Sequence, residues 1–251
     1  MKILISGIFG RMGNAVLSVV KDYEDIDVVA GFDVRCGEVE NVPVYDDVEN
    51  LPPVDCAVDF SSPDGFLKIL NYCAHKNIPL VSGTTGLGDE HFSTMKQFSE
   101  KIPIFYASNM SLAVAFVSGV VSDAARIFPD GDVEIVERHH RHKADAPSGT
   151  ALTLAKEVLS SRGLDESFLI FGRYGKTGER PRNQIAIHSL RGGEVFGEHN
   201  IYISMPYEEI VITHRALDRK LFAVGAINAI KYLAKMNAGL YSIKNLLNVC
   251  R

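Results

Sequence analysis

Long apolar runs and clustered cysteines are both missing from this sequence of 251 residues. No stretch approaches the roughly 18 consecutive apolar residues that a membrane-spanning helix needs. The early apolar stretch Ile3-Leu4-Ile5 meets Gly7 too soon to be the apolar segment of a signal peptide. The cysteines occur singly, at Cys36, Cys56, Cys73 and Cys250. Without a CxxC pair for zinc or a disulfide framework, we expect a cytoplasmic protein with reduced thiols and no membrane partner.

An excess of positive charge is also missing. The chain has 26 Lys and Arg against 31 Asp and Glu, and this net charge of -5 argues against nucleic acid as a partner. A hydrophobic fraction of 46% and a charged fraction of 23% are typical of a folded globular chain. The length suffices for one or two domains, and the sequence contains no internal repeat.

The first half alternates short apolar runs with helical patterns, which is typical of parallel βαβ units. Residues 2–6 form an apolar strand that ends at Gly7, and the apolar spacing of residues 12–21 predicts a helix. A second strand at residues 26–32 ends at Asp33. Further strands at 54–60, 80–82 and 104–107 alternate with helices at 64–75 and 89–101.

The second half begins with a long apolar helix at residues 112–128 and then changes to strands. We predict these strands at residues 133–138, 168–173, 185–190, 194–205 and 208–214. Gly192-Gly193 lies between two alternating runs and predicts a hairpin. A tail helix at residues 221–235, with Gly239 as its C-cap, would pack back onto the first domain.

The expected fold is therefore α/β: a Rossmann-type parallel-sheet domain followed by an α+β domain with a mainly antiparallel or mixed sheet. We predict a dinucleotide-binding domain at residues 1–109, completed by the C-terminal helix at 217–251. The second domain would occupy residues 110–216.

The turn Gly7-Ile8-Phe9-Gly10-Arg11-Met12-Gly13 lies between the first strand and helix, where nucleotide-binding folds hold a pyrophosphate. Phe9 breaks the strict GxGxxG spacing, and ordinary turns also use glycine, so the motif alone is weak evidence. Asp33 strengthens it, because it lies 20 residues beyond Gly13 at a strand end, where a carboxylate binds the adenosine ribose. The alternative for Asp33 is a solvated strand end.

Two more loops follow predicted strands at the carboxyl edge of the sheet, where open α/β folds bind ligands. They are Gly83-Thr84-Thr85 and Ala107-Ser108-Asn109-Met110. Ordinary loop chemistry would account for either of them alone.

Six potential cations stand in a row as Arg138-His139-His140-Arg141-His142-Lys143. Soon afterwards Ser148-Gly149-Thr150 opens a helix with Ser148 as its N-cap, and helix N-terminal amides bind carboxylate or phosphate. Together they favour an anionic ligand, with a solvated basic loop as the alternative. Zinc is disfavoured, because His139 and His140 would point to opposite faces of a strand, and we predict no metal site. Reduction of a conjugated imine by a pyridine cofactor would also require a proton, which suits a histidine or lysine.

The run from Glu134 to Ala151, EIVERHHRHKADAPSGTA, closely resembles the signature of the 4-hydroxy-tetrahydrodipicolinate reductase family, formerly called dihydrodipicolinate reductase. Shorter motifs extend the resemblance over nearly the whole chain: GxxGRMG at 7–13, GTTG at 83–86, SNMS at 108–111, SLRGG at 189–193, GEH at 197–199, THRA at 213–216 and FAVGA at 222–226. It implies an enzyme that uses NADH or NADPH to reduce a cyclic imine dicarboxylate to tetrahydrodipicolinate, in the diaminopimelate route to lysine. It also implies a homotetramer built through the sheet of a substrate-binding second domain.

The resemblance also implies roles for single residues. His139 corresponds to the family's acid/base residue and Lys143 to its proton donor. The substrate-binding candidates are His140, Ser148, Gly149 and Thr150. The cofactor-binding candidates are Gly7, Ile8, Phe9, Gly10, Arg11, Met12, Gly13, Asp33, Gly83, Thr84, Thr85, Ala107, Ser108, Asn109 and Met110.

One position departs from the family pattern. Many members carry an arginine directly after the ribose-binding acid, whereas here Val34 follows Asp33. A 2′-phosphate would meet the Asp33 carboxylate without that arginine, so we expect NADH to be preferred. NADPH remains possible through Arg35 or Arg11.

Two other functions share parts of this pattern. Another two-domain nicotinamide-dependent dehydrogenase would share the glycine turn and Asp33 but would not need the HHRHKxDxPSGT run. A non-catalytic nucleotide-binding sensor could lose its proton donors, and the presence of His139 and Lys143 argues against it. The sequence leaves open whether the hydrated or the dehydrated substrate binds.

Overall fold

The computed structural model describes residues 1–249 and divides the chain into two compact units. The first unit combines Met1–Leu112 with the chain from Arg219 onward, and the second is Ala113–Asp218. Cys250 and the end of the tail predicted at 217–251 lie outside the described residues. No helix within residues 1–249 is long and apolar enough to cross a membrane.

Strands and helices alternate in the first half of the chain and strands dominate the second half. Up to the start of the second unit the elements are β1 (Lys2–Ser6), α1 (Arg11–Val20), β2 (Asp27–Phe32), β3 (Gly37–Val39), β4 (Val42–Tyr45), β5 (Cys56–Asp59), α2 (Pro63–Lys76), β6 (Leu80–Ser82), α3 (Asp89–Ser99), β7 (Pro103–Tyr106) and α4 (Leu112–Ile127). They are followed by β8 (Asp132–His139), α5 (Gly149–Arg162), β9 (Leu169–Phe171), β10 (Ile185–Arg191), β11 (Gly197–Ser204), β12 (Glu209–Ala216), α6 (Lys220–Leu233), β13 (Gly239–Tyr241) and α7 (Ile243–Val249).

The first unit is built on an eight-stranded sheet in the order β13-β7-β6-β5-β1-β2-β4-β3. Its pairs are parallel except for β3 with β4. Apolar side chains of α1 and α6 cover one face, and those of α2 and α3 cover the other. This confirms the Rossmann-type parallel sheet. From β1 the chain adds β2 on one side and later β5, β6 and β7 on the other, so the strand order switches between β1 and β5. The carboxyl ends of the strands at such a switch point form the usual ligand crevice of this fold.

The tail of the chain differs from the prediction. Helix α6 ends at Leu233 with Ala234 as its C-cap, and Gly239 instead begins β13, which pairs with β7. The prediction of Gly239 as a helix C-cap was therefore wrong. The short strands β3, β4 and β13 escaped prediction because runs of three or four residues carry little periodic signal.

The second unit contains a five-stranded mixed sheet in the order β12-β11-β8-β10-β9. β8 is parallel to β10 and antiparallel to β11, in agreement with the predicted mixed sheet. Helices α4 and α5 pack against one face, where Val121 and Leu154 meet Val133 and Ile135 in a single core cluster.

The predicted Gly192-Gly193 hairpin was wrong, because β8 lies between β10 and β11. The amide of Gly192 donates to the carbonyl of His139 at 3.0 Å, and the amide of Arg141 donates to the carbonyl of Gly193 at 3.2 Å. The double glycine therefore crosses the carboxyl end of β8 and is bonded to the backbone around His139.

Candidate active site

The glycine turn of the first unit brings α1 very close to the end of β1. Gly7 adopts a positive φ of 75°, and its amide donates to the carbonyl of Phe32 at 2.8 Å. A Cβ atom at Gly13 would lie 2.2 Å from the carbonyl oxygen of Gly7, so only glycine allows this approach. Helix α1 has no side-chain cap at Gly10 and no acidic residue in its first turn. Its N-terminal amides therefore fit an anionic group such as a pyrophosphate.

Asp33 is fixed beside this turn by two backbone amides. Phe9 N–H donates to Asp33 Oδ2 at 3.1 Å, and Val34 N–H donates to Asp33 Oδ1 at 2.8 Å. The Val34 side chain is 91% exposed, while the Arg35 guanidinium lies 4.9 Å from the centroid of the Phe9 ring. These residues line one cavity of about 710 Å³ together with Gly7, Gly10, Phe32, Asp46, Phe60, Ser61, Ser62, Asp64, Gly65 and Lys68. The cavity therefore brings the Asp33 carboxylate and the glycine turn together.

A second cavity of the first unit lies at the same edge of the sheet and has a volume of about 240 Å³. Loops that follow β5, β6 and β7 meet around it. Its lining consists of Met12, Phe60, Ser61, Gly83, Thr84, Thr85, Ser108, Met110 and Phe222.

The remaining cofactor-binding candidates lie in other surroundings. Ile8 is fully buried and packs in the core, and Ala107 is also buried. Arg11 is exposed at the first position of α1. Asn109 Oδ1 accepts the amide of Ser111 at 2.9 Å.

Asp59 is a buried residue of this edge that sequence reasoning missed. Its carboxylate has no exposed surface and accepts three hydroxyls, from Ser61 at 2.5 Å, Ser82 at 2.9 Å and Thr84 at 2.7 Å. Ser61 and Thr84 both line the second cavity, so Asp59 fixes two of its loops. Its position at the end of an apolar strand, like that of Asp33, was the available signal.

In the second unit, the candidate residues gather at the carboxyl end of β8. Alternation along the strand puts Glu137 and His139 on the helix-covered face, where both are buried, and leaves Arg138 exposed. His139 Nδ1 lies 2.6 Å from Glu137 Oε2. Arg191 donates to both oxygens of Glu137, at 2.8 and 2.9 Å. Glu137 and Arg191 were not among the candidates predicted from the sequence.

The charges of Glu137 and His139 follow from their surroundings. Burial alone would raise the pKa of Glu137, but hydrogen bonds led by Arg191 outweigh it and lower the pKa to about 2. Burial lowers the pKa of His139, and the bond to Glu137 offsets this only in part. At neutral pH an ionised Glu137 therefore faces a neutral His139.

The start of α5 is hydrogen-bonded to Glu137. Ser148 caps the helix, since its Oγ accepts the amide of Ala151 at 3.2 Å, as the sequence predicted. The Ser148 amide donates to Glu137 Oε1 at 3.1 Å, and Ser148 Oγ lies 3.0 Å from Nε2 of the buried His199. Gly149 is exposed at the first position of the helix, which has no acidic residue in its first turn. The helix start therefore suits a carboxylate ligand.

Lys143 lies in the loop between β8 and α5. Its Nζ forms an ion pair with Asp145 Oδ1 at 2.9 Å, and its side chain is 22% exposed. This pairing with Lys143 lowers the pKa of Asp145. His140 is half-buried at the end of β8, where its Nδ1 is buried without a hydrogen-bond partner.

Among residues 1–249, no group of three or more His, Cys, Asp or Glu side chains is arranged to hold a metal ion.

Comparison with known proteins gives a consistent result over the full chain. Two family models match, described as "Dihydrodipicolinate reductase, N-terminus" at residues 1–110 and "Dihydrodipicolinate reductase, C-terminus" at residues 113–247. A protein of Campylobacter curvus named 4-hydroxy-tetrahydrodipicolinate reductase is 42% identical, covering 98% of this chain and 98% of its own. Its namesake in Caldanaerobacter subterraneus subsp. tengcongensis is 37% identical, covering 98% and 97%.

Among solved structures, the dipicolinate-bound dihydrodipicolinate reductase from Paenisporosarcina sp. TG-14 resembles the chain with a TM-score of 0.82. It is 25% identical, with 98% of each chain covered. DAP dehydrogenase from C. glutamicum, in complex with DAP, has a TM-score of 0.53 and 14% identity, covering 98% of this chain and 95% of its own. The latter likeness concerns the fold alone.

We expect acid to destabilise the second unit through His199. Burial, aided by the neighbouring His139, lowers the pKa of His199 to about 4 from an ordinary value of 6.5. As the pH falls, the unfolded chain therefore binds a proton at His199 at a higher pH than the folded chain does. The free energy of unfolding should lose on the order of 3 kcal/mol from this group as the pH falls from about 6.5 to 4, and nothing from it at higher pH.

Urea unfolding followed by circular dichroism over this pH range measures the effect in the parent and in His199→Gln. The variant should show a shallower loss. Glu137 does not interfere, because a carboxylate with a pKa of about 2 costs stability only below about pH 4.5. An equal pH dependence in both proteins would assign the acid sensitivity to other groups.

Proposed function

Because the chain belongs to the dihydrodipicolinate reductase family, we propose how its residues carry out the reaction of that family. The chain is an oxidoreductase that reduces 4-hydroxy-tetrahydrodipicolinate in the biosynthesis of diaminopimelate and lysine. The observation that carries the proposal is that one carboxylate, Glu137, contacts both His139 and the backbone amide of Ser148 at the start of α5. A histidine suited to acid–base chemistry is thereby joined to helix amides suited to an anion.

The first unit would hold the nicotinamide cofactor, which supplies a hydride when bound. The turn from Gly7 to Gly13 would receive the pyrophosphate, since its glycines let the turn pack closely and bring the N-terminal amides of α1 to the end of β1. Asp33 would accept hydrogen bonds from the adenosine ribose. The loops of Thr84 and Ser108, which line the smaller cavity at the same sheet edge, would enclose the reactive end of the cofactor.

The second unit would hold the dicarboxylate. One carboxylate would lie at the start of α5, against the amides of Gly149 and Thr150 and near the ring of His140. This proposal rests on the absence of acidic residues from the first turn of α5 and on the cationic run that precedes it. Changes at His140 and Thr150 would therefore affect substrate binding more than turnover.

Lys143 and His139 would transfer the proton that must accompany the hydride. Lys143 carries an ammonium that can donate, and Asp145 holds it at 2.9 Å. His139 is neutral at pH 7, so it can accept a proton or relay one. The hydride, one proton and the loss of the 4-hydroxyl group as water together balance the conversion to tetrahydrodipicolinate.

Replacing Lys143 by alanine should lower kcat on the order of 10²- to 10⁴-fold, because a positioned proton donor contributes that much. Binding of the cofactor should be unchanged. The measurement is NADH oxidation with freshly made condensation product of pyruvate and aspartate semialdehyde, together with cofactor titration by fluorescence. The matched control is Lys156→Ala on α5, which removes an exposed lysine paired with Glu166.

A Lys143→Ala variant with the kcat of the parent would refute the assignment of Lys143. Failure of the parent itself to oxidise NADH would favour the nucleotide-binding sensor.

NADH should be preferred over NADPH in kcat/KM by roughly tenfold or more, which corresponds to about 1.4 kcal/mol. The reason is that the fixed Asp33 carboxylate would repel a 2′-phosphate, and the exposed Val34 cannot pair with it. Val34→Arg should narrow the ratio. Val34→Ala is the control, since it adds no cation and should keep the ratio of the parent.

Both cofactors should be compared at one ionic strength, since salt screens a phosphate contact. Arg35 and Lys68 line the same cavity as Asp33, so a parent that uses NADPH equally well would show that these cations replace the missing arginine.

We also propose a cytoplasmic homotetramer that assembles through the sheet of the second unit. The face opposite α4 and α5 carries Val136, Tyr202 and Val211 on neighbouring strands, and Val211 is 49% exposed. In the cytoplasm, NADH would be regenerated for this reaction. Light scattering after size exclusion should give four times the chain mass, and Val211→Glu should reduce it; a monomeric parent would contradict the proposal.

A further inference from the structure

Glu137 has an unusual set of partners for a residue without contact to solvent. Arg191 binds both of its oxygens, the Ser148 amide binds Oε1, and His139 Nδ1 lies 2.6 Å from Oε2. These donors come from β10, from the start of α5 and from β8 itself. A carboxylate held by three elements cannot turn without breaking several charge-assisted bonds.

The contact with His139 determines which ring nitrogen carries the proton. An ionised carboxylate can only accept hydrogen bonds, so Nδ1 of His139 must be the donor. A neutral imidazole carries a single N–H, which leaves the lone pair on Nε2. The other charged or titratable groups that face this ring are Arg191, Lys143 and His199.

The neighbour of Nε2 is a glycine. A Cβ atom at Gly197 on β11 would lie only 3.0 Å from Nε2 of His139. Because Gly197 has no side chain, there is room beside the nitrogen that carries the lone pair. One ring nitrogen is thus held by Glu137, and the other adjoins the space that a side chain at position 197 would fill.

We propose that Glu137 is the positioning residue of the site: it holds His139 with Nδ1 protonated, makes Nε2 the acid–base nitrogen, and ties that ring to the start of α5 through Ser148. The inference rests on the proposed function and deepens it. One carboxylate would set both the proton chemistry and the location of the anion-binding amides.

Glu137→Gln tests this with little change in volume. The amide can turn its N–H toward Nδ1, which would move the proton of His139 to Nε2. We expect kcat to fall on the order of 10²-fold or more, as for loss of an acid–base group, with KM for the substrate changed only a few-fold. The pKa of His139 should fall further, since its bond to Glu137 raises it.

The readout besides activity is the nitrogen chemical shifts of the His139 ring in histidine-labelled protein, recorded against pH. The parent should show the Nδ1–H form at neutral pH, and Glu137→Gln should shift the population toward Nε2–H. Assignment comes from loss of the signals in His139→Ala.

The chain offers a closely matched control on the same strand. Glu134 is bound by both nitrogens of the Arg173 fork at 2.8 and 2.9 Å and by His188 at 2.7 Å, and burial opposed by Arg173 leaves its pKa at about 2. It lies on the opposite face of β8. Glu134→Gln should therefore keep the His139 tautomer and the kcat of the parent.

Three results would overturn the proposal: an Nε2–H form in the parent, an unchanged tautomer in Glu137→Gln, or equal losses of kcat in Glu137→Gln and Glu134→Gln. The first of these does not use Glu137→Gln, so a misfolded Glu137→Gln still leaves the test decisive. If His139→Ala keeps full activity, the assignment of His139 fails instead. A large loss in His139→Ala beside an unaffected Glu137→Gln would refute the positioning role alone.

Discussion

The buried negative charge of Glu137 is the constraint on which the site of the second unit depends. A carboxylate without solvent is stable only where fixed donors replace water, and removing one donor leaves a costly unpaired charge. The parallel register of β8 with β10 places Arg191 opposite His139 and within reach of Glu137. A shift of β8 by one residue in this register would turn the Glu137 side chain to the other face of the sheet. The site therefore needs the register of the sheet as much as it needs the residues.

Features that depend on neighbouring residues could be predicted from the sequence. The N-cap of α5 at Ser148 and the tight turn from Gly7 to Gly13 are set within a few residues, and the structure has both. The order β11-β8-β10 could not be predicted, because alternation shows that a strand exists and not which strand it joins. The Gly192-Gly193 hairpin failed for this reason. The link of Glu137 to Arg191 spans 54 residues and depends on that same order.

The two carboxylates at strand ends of the first unit show the same limit. Asp33 is recognised by its spacing from the glycine turn, and its amide donors are close in sequence or part of that turn. Asp59 has hydroxyl donors that include Ser82 and Thr84, which join it only when β5 and β6 pair. A spacing rule identifies a carboxylate such as Asp33 that follows a glycine turn, whereas a carboxylate that organises loops becomes visible only in the folded chain.

Within the proposed reaction, the environments of His139 and Lys143 assign them different tasks. His139 is buried and neutral at pH 7, so its uncommitted nitrogen begins the cycle as an acceptor. Lys143 is partly exposed and paired with Asp145, so its ammonium begins the cycle as a donor. The Arg191 guanidinium reaches both regions, because it binds Glu137 and also donates to the carbonyl of Asp145 at 2.6 Å. Arg191 thus connects the groups that orient the acceptor to the loop that holds the donor. In the proposed reaction, one hydrogen-bonded network around Arg191 would therefore hold both the proton acceptor, His139, and the proton donor, Lys143, in their separate places.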